Sequence, residues 1–188
     1  VKYGELMYTR TDINKFLRTY KSTGDMKRTA SDFAEFAHTG QKDKAGNTLF
    51  SHIQRVVDIL KGALRDDSII TIGYLHDILD NGGFTQGDLS MFFPENVWEA
   101  VVHLSHNKTS CREEYFAQIM ESRPAILVKI ADLSDNRAII MNDHPTDKEY
   151  WKRVKYNREI DTLTSGLAKF SDCFSSEKDA SSFCEESD

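Results

Sequence analysis

Four polar, metal-capable elements interrupt otherwise apolar stretches of this sequence: His38, His52, the adjacent pair His76-Asp77, and Asp132. The pair lies inside Gly73-Tyr74-Leu75-His76-Asp77-Ile78-Leu79, and Asp132 closes Ile126-Leu127-Val128-Lys129-Ile130-Ala131-Asp132. A carboxylate taken out of water without a partner is strongly destabilising, so Asp77 and Asp132 each need a cation or several donors. His38 follows one apolar helical stretch and His52 opens the next. Imidazole nitrogens combined with carboxylate oxygens suit Mn²⁺, Fe²⁺ or Zn²⁺ and are too nitrogen-rich for a typical Mg²⁺ site. Taken singly, each element has a plainer explanation: a packed histidine, or an Asp132 that pairs with Lys129. All four occurring in order is what points to a metal.

These residues must be carried by helices. Residues 11–20 place Ile13, Phe16 and Leu17 at helical spacing, and residues 31–38 start on a Ser cap with Phe33, Phe36 and Ala37 on one side. Residues 40–48 are polar and glycine-bearing and read as a loop. In residues 50–64, Ile53, Val56, Val57 and Leu60 follow the i, i+3, i+4, i+7 pattern of an amphipathic helix. Asp66-Asp67-Ser68 caps an apolar helix to about residue 79, ended by Asn81-Gly82-Gly83. Helices are also expected over 85–93, from Pro94 onward, over 110–122, over 124–141 as a central buried element, and over 147–170. The prolines, Pro94, Pro124 and Pro145, all fall where a helix can begin. No run alternates with period two, so the expected fold is an all-α, single-domain helical bundle. Residues 1–28 form its lead-in, 29–170 the domain, and 171–188 an acidic, Ser-rich tail.

At 188 residues the chain can bury a full core, and 39% hydrophobic with 29% charged residues is an ordinary globular balance. A net charge of -6 argues against a general nucleic-acid binder. Cys111, Cys173 and Cys184 form no CxxC pair or even-numbered framework, which suits a reducing cytoplasm. No apolar run is long enough to span a bilayer, and no leader-like segment opens the chain.

The order His, His, His-Asp, Asp resembles the HD superfamily of metal-dependent phosphohydrolases. The local strings Ala37-His38-Thr39-Gly40-Gln41, Lys44-Ala45-Gly46, Leu75-His76-Asp77-Ile78-Leu79-Asp80 and Val128-Lys129-Ile130-Ala131-Asp132, with Asn136 beyond, are similar to the hydrolase domain of RelA/SpoT proteins and small alarmone hydrolases. The resemblance implies one Mn²⁺, with Zn²⁺ or Fe²⁺ as alternatives, held by His38, His52, His76, Asp77 and Asp132. It implies removal of the 3′-pyrophosphate of (p)ppGpp, or action on a related nucleotide such as NADPH. It places Asp80 and Asn81 at the catalytic pair after His-Asp, and Lys44, Lys129, Asn136 and Arg137 against a nucleotide substrate. A divalent metal suits that chemistry, since it acidifies bound water and offsets phosphoryl charge.

Some positions differ from that pattern. The family's Glu-Asp pair is Asp80-Asn81 here, one methylene shorter at the first position and without a base at the second. The loop that usually reads Arg-Lys-Ser-Gly-Glu-Pro is Asp43-Lys44-Ala45-Gly46-Asn47-Thr48, so an acid stands where an arginine would stack on the guanine. After Asp132 the usual Arg-Leu is Leu133-Ser134. These changes leave two other readings open: hydrolysis of another nucleotide (a dNTP or nucleoside monophosphate), or a weakly active nucleotide-binding module. His103 and His106 read as an exposed pair, and Lys152, Arg153, Lys155 and Arg158 as a solvated charged face.

Overall fold

Side-chain caps set most of the helix starts in this computed structural model, which describes residues 8–43, 45–106, 111–140 and 145–170. Lys44, the tail 171–188, Cys173 and Cys184 lie outside the described residues. The order is α1 (Arg10–Thr19), α2 (Met26–Ala37), α3 (Leu49–Ala63), α4 (Asp67–Leu75), α5 (Ile78–Asn81), α6 (Gln86–Ser90), α7 (Glu95–Leu104), α8 (Arg112–Ile119), α9 (Arg123–Ile139) and α10 (Asp147–Gly166), with a 3-10 turn at Leu167–Phe170. Thr9, Thr85, Cys111 and Thr146 each form a reciprocal capping box with the acid three residues on. Among the described residues the β content is one isolated bridge, Lys42 with Thr48. The all-α expectation holds.

Several boundaries differ from the sequence expectation, the helix expected over 85–93 ending at Ser90 and the one over 110–122 at Ile119 among them. Helix α2 begins five residues before Ser31, because the Asp25 carboxylate accepts from the Lys27 and Arg28 amides and caps the chain there. The single helix expected to run to about residue 79 is two, α4 and α5, and His76-Asp77 is the break between them.

Helices α4 and α9 make up the interior. Ile69 through Gly73 and Leu75 of α4 are all buried, and α4 packs on α2, α3, α7 and α9. Gly73 permits the close approach to α3: a Cβ there would fall 2.6 Å from the Leu60 Cδ1. Ile53, Val56, Val57 and Leu60 all point into this core. At the other end, fully buried Phe33 meets Phe16, Tyr20, Phe92 and Phe93 edge-on, with centroids 5.0–5.5 Å apart. Phe16 also stacks on Phe36 at 4.1 Å, which clamps α1 to α2. The Arg10 guanidinium then pairs with buried Asp88 (2.7 Å from Nη2 to Oδ1), tying α1 to α6. No helix among the described residues is long and apolar enough to cross a membrane.

Candidate metal centre

Four helix ends and one helix face carry the candidate ligands. His38 is the C-cap of α2, where the chain turns out through Gly40 at φ 75°. His52 lies in the first turn of α3, His76 closes α4, Asp77 opens α5, and Asp132 sits on the buried side of α9. His38, His52, His76 and Asp132 are all buried. Ligand atoms of His52, His76 and Asp132 lie within 4.8 Å of one another. The Asp77 Oδ1 is 3.8 Å from the His76 Nε2, and Asp77, His76 and His52 all bear electrostatically on His38.

The hydrogen bonds assign the two faces of each imidazole. The Nδ1 of His38 faces the Gln41 Oε1 at 3.0 Å, that of His52 the Asp135 Oδ2 at 2.7 Å, and that of His76 the Gly73 carbonyl at 2.8 Å. All three acceptors call for Nδ1–H on the ring, which makes Nε2 the nitrogen available to a cation; in the metal-free protein the Nε2 of His52 faces the Asp132 Oδ1 at 3.3 Å. The Nε2 atoms of His38 and His76 are buried without a hydrogen-bond partner among the described residues. Each such atom costs ~1–3 kcal/mol if nothing meets it. A divalent cation at the His52, His76 and Asp132 cluster would satisfy the His76 Nε2, and the donor set of imidazole nitrogens and carboxylate oxygens fits one.

The electrostatics suit the same reading. Burial holds His38 below its ordinary pKa, against the pull of Asp77, so its ring stays neutral. Burial also opposes ionisation of Asp132, but the Lys129 ammonium beside it, with His52, holds the carboxyl well below its usual range. The Lys129 Nζ donates to the Asp132 Oδ2 at 2.7 Å, and the Asn136 side-chain amide donates to Oδ1. Lys129 and Asn136, expected at the substrate, are thus found gripping the Asp132 carboxylate.

The remaining expected residues separate. The Asp80 carboxylate is exposed and is bound by Ser105 and the His106 amide at the end of α7. Asn81 lends its carbonyl to the Gln41 Nε2 at 2.7 Å. Arg137 reaches away to the Asn157 Oδ1 on α10 at 2.9 Å. The expected exposed pair His103 and His106 is half-buried: the His103 Nδ1 meets the Gln118 carbonyl at 2.8 Å, and the His106 ring packs edge-on to Tyr115.

Asp135 and Arg55 were not anticipated. Arg55 forks onto Asp135 through Nε (2.7 Å) and Nη2 (3.0 Å), and Nη2 also reaches the Asp43 Oδ2 at 3.0 Å. Asp43 does not face outward as a base-stacking residue would. Its side chain is buried, and its Oδ1 accepts from the Ala45 and Asn47 amides at 2.9 Å. Burial would raise the Asp43 and Asp135 carboxyls, but Arg55 and the loop amides for one, and His52 and Arg55 for the other, hold them low.

Both comparisons that found matches relate this helical bundle, by similarity, to SpoT and its orthologs. In sequence the chain is 27% identical over 176 residues to the bifunctional (p)ppGpp synthase/hydrolase SpoT of Escherichia coli K12, covering 86% of this chain and 24% of the relative. The same figures hold for the guanosine-3′,5′-bis(diphosphate) 3′-pyrophosphohydrolases of Escherichia coli O157:H7 and Shigella flexneri. The chain therefore spans only 24% of the length of these relatives. Its fold matches a solved metazoan ortholog of SpoT, described as hydrolysing ppGpp with a role in starvation responses. That match has a TM-score of 0.63 and 23% identity, and covers 79% of this chain and 88% of the other. No family model matches the chain.

Proposed function

We propose that this chain is a divalent-metal-dependent phosphohydrolase that removes the 3′-pyrophosphate of (p)ppGpp, with Mn²⁺ as the metal. The observation that carries the reading is the gathering of His52, His76 and Asp132 ligand atoms within 4.8 Å of one another, with the buried His76 Nε2 lacking a hydrogen-bond partner among the described residues. The SpoT relatives supply the substrate class. Residues His38, His52, His76, Asp77 and Asp132 would hold the cation. When bound, it would lower the pKa of water and offset negative charge on the phosphoryl oxygens.

The chain's own groups do the rest. Gln41, Asp135 and the Gly73 carbonyl hold the three imidazoles with Nε2 inward. Lys129 and Asn136 hold Asp132 ionised and oriented. Asp80, three residues beyond Asp77, is the residue assigned to accept a proton from the attacking water, and Lys44 is the residue assigned to a phosphate. Incubating the purified, Mn²⁺-loaded protein with ppGpp and pppGpp tests the proposal. Pyrophosphate release that disappears in His52→Ala and Asp77→Ala supports it, and no release from either nucleotide with metal bound defeats it.

A second reading keeps the chemistry and changes the base. Asp43 is engaged inward by Arg55 and the loop amides, so the loop offers no arginine to stack on guanine at that position. NADPH, a dNTP or a nucleoside monophosphate would then be the better substrate, and the same assay over those nucleotides separates the two readings.

A further inference from the structure

We propose that Asp43, Arg55 and Asp135 are positioning residues that aim the His52 imidazole and thereby join the 39–48 loop to the metal centre in one mechanical unit. The proposal rests on the metal-centre reading above. Arg55, three residues along α3 from His52, is the group that reaches this loop's acid. Arg55 grips Asp135 at two points, the fork–fork geometry that fixes a carboxylate in plane as well as in place. The same Asp135 takes the His52 Nδ1 at 2.7 Å, on Oδ2, the oxygen that Nη2 also holds. Nη2 then reaches Asp43, whose other oxygen closes the loop on its own Ala45 and Asn47 amides.

Burial makes the chain cooperative. The Asp43 and Asp135 side chains are only 3% and 5% exposed, and Arg55 is the cation between them at 36%. Removing Arg55 leaves two buried carboxylates without their cation, and removing Asp135 leaves the His52 Nδ1 without its acceptor. The loop also holds a second ligand from its other side. Gln41 meets the His38 Nδ1 and donates to the Asn81 carbonyl, so a shift of the loop would move two of the three imidazoles together. The acceptor behind a metal-binding histidine sets ring angle and tautomer, and its loss typically weakens metal binding ~10–100-fold.

Titrating the full chain with Mn²⁺ and following the free-ion EPR signal tests this. Asp135→Ala should weaken Mn²⁺ binding ~10–100-fold. Asp135→Asn should fall between it and wild type, since the remaining carbonyl still accepts from His52. Arg55→Lys should weaken binding because an ammonium cannot make the two-point grip. Asp43→Asn, which touches no ligand, should weaken it several-fold. Asp88→Asn, in the distant Arg10 pair, should lower thermal stability and leave Mn²⁺ affinity unchanged. Wild-type affinity in folded Asp135→Asn and Asp43→Asn overturns the proposal. So does affinity that falls in every variant, Asp88→Asn included, in step with lost stability. Absence of Mn²⁺ binding in the wild type instead overturns the metal-centre reading.

Discussion

The Asp80 carboxylate, one turn beyond the His76-Asp77 break, accepts a 2.6 Å hydrogen bond from the Ser105 hydroxyl. A second bond from the His106 amide, at 3.0 Å, fixes the same group to the end of α7. The carboxylate proposed to handle water is therefore held by a neighbouring helix end, and its reach toward the cluster depends on that turn.

Asp80→Ala is accordingly expected to lower kcat ~10²–10⁴-fold, the range of general-base contributions, with Mn²⁺ affinity unchanged. Asp80→Glu combined with Asn81→Asp, which restores the longer acid and the second carboxylate, is expected to raise turnover. Steady-state kinetics beside a Mn²⁺ titration separate these from effects on the metal. An Asp80→Ala enzyme with wild-type kcat would remove Asp80 from the reaction.

In the metal-free protein, burial pushes the His52 pKa down, but hydrogen bonds to Asp132 and Asp135 outweigh it and raise the value from 6.5 to about 9. A raised folded pKa stabilises the fold fully below the unfolded value, ~6.5, and that contribution is lost as pH rises through the folded one. Thermal melts in chelator should therefore show Tm declining from about pH 6.5 to about pH 9, and His52→Asn should flatten that decline. Because bound metal must displace this proton, Mn²⁺ affinity should rise across the same window. A metal-free Tm that is flat there contradicts the assignment.

Phe33 is fully buried at the meeting of five other aromatic rings. Phe33→Ala should cost ~3–5 kcal/mol of unfolding free energy by urea titration, as for other large-to-small changes in a close-packed core. A loss under 1 kcal/mol would mean the site collapses around the smaller side chain (about the value for a well-tolerated swap).

The helices and the metal-type residues were legible because both are written in local periodicity. Ile53, Val56, Val57 and Leu60 repeat at helical spacing and are buried together, and the polar residues breaking such stripes, His52, His76 and Asp132, are the ones the fold gathers. The α4–α5 break was hidden because apolar residues continue across it, from Leu75 to Ile78. What interrupts the helix is polar, with the His76 ring turned back to the Gly73 carbonyl. Asp25 rather than Ser31 starts α2, although Met26, Ala30, Phe33 and Ala37 already carried the period. Asp135 was accessible in part, three residues from Asp132 and so on the same face of α9. Its partners His52 and Arg55 lie 83 and 80 residues away, a meeting set by how α3 crosses α9 and by no local pattern. Asp43, read as a change in base recognition, turned out to face Arg55, which no local string shows.

The most direct measurement is a crystal structure of the Mn²⁺-soaked protein with anomalous data collected at the manganese edge. One peak is expected, at coordination distance from the Nε2 atoms of His38, His52 and His76 and from a carboxylate oxygen of Asp77 and of Asp132. Each histidine should keep its Nδ1 bond to Gln41, Asp135 or the Gly73 carbonyl. A peak elsewhere, or none at this cluster in crystals that have taken up manganese, would contradict the metal centre and the hydrolytic function built on it.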